Sequence, residues 1–221
     1  MISISFVNPK GGTGKTTSCF LLAEQLAKMD YKVAVFDCDP NNNLVNWRDR
    51  RKEKDAELPF EVVDGPAEDE LLDLVAAYED KCEVLLMDME GTASQIVTFA
   101  MSQSDLCIIP FEPTPMETRQ ASRAVKLVQR TSKMINREIK YSLLMVRTNA
   151  AFQTNDEKDV RAALNGVPVL DTALVRRAAY TRIFRDADLL AELDSAKVSN
   201  VGKATVNAKA FAMNTLELLK G

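Results

Sequence analysis

The run Asn8-Pro-Lys-Gly-Gly-Thr-Gly-Lys-Thr-Thr17 puts three glycines, two lysines and three threonines within ten residues. Glycines let a backbone turn its N–H groups toward one point, and a helix starting there adds its positive end, which together suit a polyphosphate. Lys15 would reach the β/γ-phosphates and the Thr16 hydroxyl would ligate Mg²⁺, with Gly11, Gly12, Thr13, Gly14 and Thr17 completing the cradle. Three carboxylates fall where such a site needs them. Asp37 and Asp39 end one apolar run, Lys32-Val-Ala-Val-Phe-Asp-Cys-Asp39, and Asp88 ends another, Cys82-Glu-Val-Leu-Leu-Met-Asp88. An aspartate closing a buried strand is the arrangement that holds Mg²⁺ through water.

These residues need a scaffold that brings strand ends together. Ile2 to Val7 alternates apolar and small polar side chains as a strand, and Ser18 to Met29 carries apolar residues at helical spacing. Further strands are predicted at 32–40, 59–63, 82–88, 104–110 and 140–149, with helices at 67–78, 96–101, 116–134, 156–164 and 204–220. Thr114 caps the helix at 116–134, with Pro115 at its first position and Glu117 in its first turn. Strand and helix alternate from end to end with no linker or repeat, which predicts a doubly wound α/β fold, a mostly parallel sheet with helices on both faces. In such sheets ligands collect beyond the carboxyl ends of the strands, so Asp37, Asp39 and the glycine loop should share one crevice.

Composition bounds the rest. With 221 residues and 46% hydrophobic content the chain is long enough for one well-cored domain, taken as residues 1–221. A net charge of −4 is not that of a polycation, so any nucleic-acid contact needs a local patch. The absence of histidine removes His-based metal sites and general bases. Cys19, Cys38, Cys82 and Cys107 lie in or beside apolar segments without C-x-x-C spacing, as core residues of a protein in a reducing cytosol. No signal peptide or membrane-spanning run is apparent. The charged run 48–54 reads as a solvated helix face.

The strict P-loop pattern wants glycine at position 9, where this chain has Pro9, and it adds Lys10. This resembles the deviant glycine loop (Walker A motif) of the ParA/MinD class of P-loop ATPases. The resemblance implies ATP and Mg²⁺ as cofactors and an ATP-bound homodimer in which Lys10 reaches the partner's phosphates. Asp-Cys-Asp-Pro-Asn41 resembles the family segment in which Asp39 orients the attacking water and Asp37 lies near the Mg²⁺ shell, beside Thr16 and Asp88. Asp88-Met-Glu-Gly91 departs from the family's usual proline, so Glu90 puts an extra carboxylate in the switch loop, while Gly91 and Thr92 still allow close backbone approach. Pro110 to Thr118 resembles the proline-rich loop of small ParF-like ParA proteins, and the strand end Arg147-Thr-Asn149 resembles the place where the family holds the adenine ring, with Asn149 as the base-reading residue.

That resemblance implies a slow ATPase acting as a molecular switch in plasmid or chromosome partition. Its implied partners are non-specific DNA and a centromere-binding ParB- or ParG-type adaptor, in a cytoplasmic protein that is nucleoid-associated when ATP-bound. Arg176, Arg177, Arg182 and Arg185 with Tyr180 make the densest basic patch and the first candidate DNA surface, and Arg119, Arg123 and Lys126 a second strip. Acids at 171, 186 and 188 could instead pair with the first group. A MinD-like or conjugal-transfer positioning ATPase is the alternative, although the final helix has few lysines and Phe211 as its interfacial aromatic, which argues against a membrane partner. An iron–sulfur reductase or scaffold would need exposed paired cysteines; dethiobiotin-synthetase-like ligases share the glycine loop, but the aspartate pair followed by Pro40 and the proline-rich loop favour partition.

Overall fold

The computed structural model describes residues 1–91 and 94–220. Seven strands form one sheet: β1 (Ile2–Phe6), β2 (Val33–Cys38), β3 (Glu61–Asp64), β4 (Val84–Met89), β5 (Leu106–Phe111), β6 (Lys140–Thr148) and β7 (Leu174–Val175). Their order is β3-β2-β4-β1-β5-β6-β7. Every neighbouring pair runs parallel, as a chain that alternates strand and helix requires.

Side chains along the central strands alternate between two cores. In β4, Val84 and Leu86 face one and Leu85 and Met87 the other; in β2, Val33 and Val35 oppose Ala34 and Phe36. Both faces are covered, so these strands are apolar throughout rather than at every second residue. On the first face lie α1 (Lys15–Ala27), α2 (Asn43–Glu53), α7 (Ala178–Asp186) and α8 (Val201–Lys220). The second carries α3 (Leu71–Ala77), α4 (Gln95–Gln103), α5 (Pro115–Met134) and α6 (Asn155–Ala163). Phe20 of α1 meets Trp47 edge-on with ring centroids 4.8 Å apart, and Trp47 stacks on Phe60 at 5.4 Å. Such ring pairs add roughly 0.5–1.5 kcal/mol each beyond the area they bury. All four cysteines are buried and free.

Most of the charged run at 48–54 is exposed, as its composition predicts, but Arg51 is not. Arg51 is 1% exposed, donates to the Glu57 carbonyl at 2.9 and 2.6 Å, and forms a two-pronged pair with Glu192 at 2.6 and 3.0 Å. Arg50 donates to the carbonyls of Phe184 and Arg185, and Arg48 to that of Val62. The run therefore fastens α2 to the segment after α7. The arginine-rich segment 174–185 contains the two-residue strand β7 and most of α7.

The chain goes from β1 through α1 to one side of the sheet and from β4 through α4 to the other. β1 sits between β4 and β5, where the order reverses. A crevice opens at the carboxyl ends of strands flanking such a reversal, and β1 ends there in the glycine loop.

Candidate functional site

Gly12 and Gly14 have φ of 75° and 90°, a left-handed backbone that residues with side chains seldom adopt. α1 starts directly after Gly14 with no side chain capping its first turn, so those N–H groups face the loop unpaired by any cap. Asn8 anchors the loop from beneath: buried, it donates to the Pro110 carbonyl at 2.8 Å and accepts from the Lys10 N–H at 3.1 Å. Lys15 is buried too, its Nζ donating to the Lys10 carbonyl at 3.2 Å and the Asn8 carbonyl at 3.5 Å. Burial lowers its pKa, against the pull of the carboxylates Asp88, Asp39 and Glu90.

Asp88 lies beneath the start of α1, in register with Asp37 on the neighbouring strand. It is fully buried, and neither carboxyl oxygen has a hydrogen-bond partner in acceptable geometry. Burial pushes its pKa up to about 8, with the adjacent Thr16 hydroxyl and Lys15 acting the other way and Asp37 and Asp39 adding to the rise. A carboxyl left this way is poorly satisfied by the protein alone. Asp37 divides its oxygens. Oδ2 accepts from the Leu44 and Val45 N–H groups at 2.9 and 3.0 Å, fixing the first turn of α2, whereas buried Oδ1 has no partner. Its pKa is raised, burial outweighing those hydrogen bonds. Asp39 is half-buried and accepts from the Asn41 backbone and side chain at 2.9 and 2.7 Å.

Of these groups, Lys15 and Asp39 line a cavity of about 400 Å³, together with Gly11, Gly12, Gly14, Thr16, Thr17, Asn43, Glu90, Gly91 and Arg147 among others. Gly91 comes so close that a Cβ there would stand 2.6 Å from the Gly11 nitrogen, which makes the residue after Glu90 necessarily a glycine. Thr92 lies outside the described residues. Past Gly14, Thr16 and Thr17 the cavity continues into a second of about 560 Å³, walled by Val146, Leu174, Val175, Tyr180 and Phe184. Its dimensions and apolar lining suit a flat heterocycle.

The remaining expected site residues lie around this cavity. Asn149 Oδ1 accepts from the Ala151 N–H at 2.9 Å, and the residue lines a neighbouring cavity with Glu112, Thr154 and Arg147. Arg147 also stands by the glycine loop, where a register irregularity between β6 and β7 and a φ of 55° at Arg147 turn the strand end. No pattern of residue types announces that bulge. Lys10 is also absent from the cavity lining, its ammonium paired with the Glu117 carboxylate in the first turn of α5. The arginine patch does not form one free surface. Arg176 and Arg177 line the larger cavity, Arg176 pairs with Glu112 at 3.5 Å, and Arg182 and Arg185 approach Asp186 at 3.4 and 3.9 Å. Asp188 pairs with Lys54.

The model of the VirC1 protein family matches residues 1–220. A protein named ParA from Rhizobium radiobacter is 30% identical over 208 residues, covering 92% of this chain and 91% of its own length. A virC1 protein of the same organism is 28% identical over 183 residues, 80% of this chain and 78% of the relative. Among solved structures, a putative plasmid partition protein from Borrelia burgdorferi B31, bound to AMPPNP, superposes with a TM-score of 0.77 at 16% identity, covering 98% of each chain. No described helix is long and apolar enough to cross a membrane. Glycine loop, strand-end aspartates, sheet order and full-length match agree: the chain belongs to the VirC1 family and has the fold of the ParA- and MinD-type P-loop ATPases.

Proposed function

We propose that this protein, acting as one domain, is a partition-type ATPase switch that binds ATP and Mg²⁺ and dimerises. In that state it would hold DNA without sequence preference, and slow hydrolysis would release it. The observation that carries the reading is Asp88, a buried carboxyl with both oxygens unpartnered beside the Thr16 hydroxyl and the open start of α1. A hydrated divalent cation there would satisfy that carboxyl, and a polyphosphate would satisfy the N–H groups. The residues present therefore fit the group.

Thr16 and Asp88 would hold the metal, with Asp37 behind them through its free oxygen. Bound there, Mg²⁺ would neutralise charge on the phosphates. Lys15 follows the phosphates from within the subunit, and the loop N–H groups of residues 11–17 cradle them. Asp39 orients water for in-line attack on the γ-phosphorus, giving ADP and phosphate. The base occupies the larger cavity, against Val146 and Tyr180 and beside Arg147. Lys10 points away from its own cavity onto Glu117, which supports a role on the phosphates of a second subunit rather than its own. An adaptor of the ParB or ParG kind would stimulate hydrolysis, and the ATP-bound protein would sit on the nucleoid. The VirC1 family match and the ParA relative support partition-type work.

Light scattering of the protein with ATP, ADP or no nucleotide, beside its Lys10→Ala and Lys15→Ala variants, tests the reading. Lys15→Ala should lose ATP binding, and Lys10→Ala should bind ATP but remain monomeric. Normal ATP-dependent dimers of Lys10→Ala would refute the cross-subunit role.

A further inference from the structure

The outer face of α5 is a second, separate surface. Its buried face is Ala121, Ala124, Val125, Val128 and Thr131, packed on the sheet. Opposite, Arg119, Arg123, Lys126, Arg130 and Lys133 are all exposed. Their spacing alternates four and three residues, so the cations form one stripe along about 21 Å of helix at ~1.5 Å per residue. Arg123 donates to Gln120 at 3.2 Å, and among the described residues none of the five is paired with a carboxylate. The one acid of this helix, Glu117, is committed to Lys10. On a chain of net charge −4 such a stripe is an anomaly that solvation alone does not require.

We infer that the α5 stripe is the surface that binds the phosphate backbone of duplex DNA. The inference rests on the DNA-binding reading above and assigns its site. Two features favour DNA over a protein. The residues between the cations on this face, Ser122 and Gln129, are polar, and the exposed apolar side chains Met116 and Met134 stand at the helix ends. A protein partner needs an apolar centre within the contact, which this stripe does not offer. Cations interleaved with small hydrogen-bonding side chains are what backbone contacts use, and they fix position without reading sequence. The α7 arginines are weaker candidates, since acids within 3.4–3.9 Å already offset their charge or they line the nucleotide cavity. The first turn of α5 also holds Lys10 through Glu117, so the stripe sits on the element next to the proposed dimer contact. Two copies would double the phosphates reached.

The experiment uses the full-length protein with ATP and Mg²⁺, a random-sequence duplex and a salt series read by fluorescence anisotropy. Removing three charges in Arg123→Gln/Lys126→Gln/Arg130→Gln should flatten the dependence of log affinity on log salt by roughly 2.7 per protomer, at ~0.9 per lost phosphate contact. Affinity at about 0.1 M salt should fall at least about tenfold. DNA-free ATP turnover and the thermal midpoint should be unchanged. An unaltered slope in this variant overturns the assignment. Loss of binding in Arg182→Gln/Arg185→Gln instead moves the surface to α7. Poly-glutamate bound as tightly as duplex, and lost in the same α5 variant, makes the partner an acidic protein segment and overturns the DNA assignment. A wild-type protein that binds no duplex in any nucleotide state refutes the DNA reading itself, a result distinct from the failure of α5.

Discussion

Asp88 illustrates how a single side chain reports its own site. Its pKa of about 8 lies above the ordinary carboxyl value of 3.8, so without metal the native protein keeps a proton that the unfolded chain gives up. Linkage then makes stability greatest below about pH 4, declining as pH rises through the window to about 8 and level above it. The metal- and nucleotide-free protein should show that decline in its urea midpoint between pH 5 and 8, and Asp88→Asn should remove this component. Parallel curves for the two proteins would mean that the carboxyl ionises normally. At Gly91 the argument is steric: Gly91→Ala must push the switch loop off Gly11, and we expect ATP affinity to drop at least about tenfold with the fold retained, measured by calorimetry. The glycine loop and the strand-end aspartates were legible because those chemistries restrict residue type: φ near 90° at Gly14 favours glycine, and a metal ligand must be an acid. The strand end Arg147-Thr-Asn149 was legible only through a family resemblance, and the apolar wall at Val146, Tyr180 and Phe184 was not, since backbone and shape define that pocket and many side chains can line it.

Among the elements, α2 departs furthest from what its composition suggests. A run of alternating charges predicts water on that face, yet Arg51 is buried because its carboxylate partner, Glu192, lies 141 residues further on. No local window contains that pairing. Removing the guanidinium would leave the Glu57 and Ala187 carbonyls short of a donor, and we expect Arg51→Ala to lose about 3 kcal/mol, read from urea unfolding, with nucleotide affinity nearly unchanged. A loss within ~0.5 kcal/mol would show the pair to be ornamental. By contrast α5 follows its sequence closely: Thr114 caps it by accepting from the Glu117 N–H at 3.3 Å, and Pro115 takes the first turn. Caps and helical spacing are local signals, and they survived.

At the scale of the whole molecule, alternation of strands and helices conveyed a parallel doubly wound sheet, but not the order of its strands. Order depends on which edges meet across long stretches of chain, such as β1 beside β4, and periodicity carries no information about that. The order matters because the reversal around β1 places the glycine loop, Asp37 and Asp88 at one point. It also places α5 so that Glu117 reaches Lys10.

That last contact has a consequence in time. In the proposed dimer, a lysine that starts on its own subunit's glutamate and finishes on another subunit's phosphate would have one ion pair to break before it makes the next, so encounter and commitment would become separate events. Half-exposed pairs of this kind are worth at most about 1 kcal/mol, which corresponds to a delay of up to about fivefold in the rate of ATP-driven association. Glu117→Gln should shorten that delay in stopped-flow light scattering while the dimer, once formed, dissociates at its former rate. An unchanged association rate would mean that Lys10 leaves Glu117 at no cost. In the proposed switch, the pair would be a dead time between taking up nucleotide and finding a partner, during which a monomer could diffuse away from where it was last released.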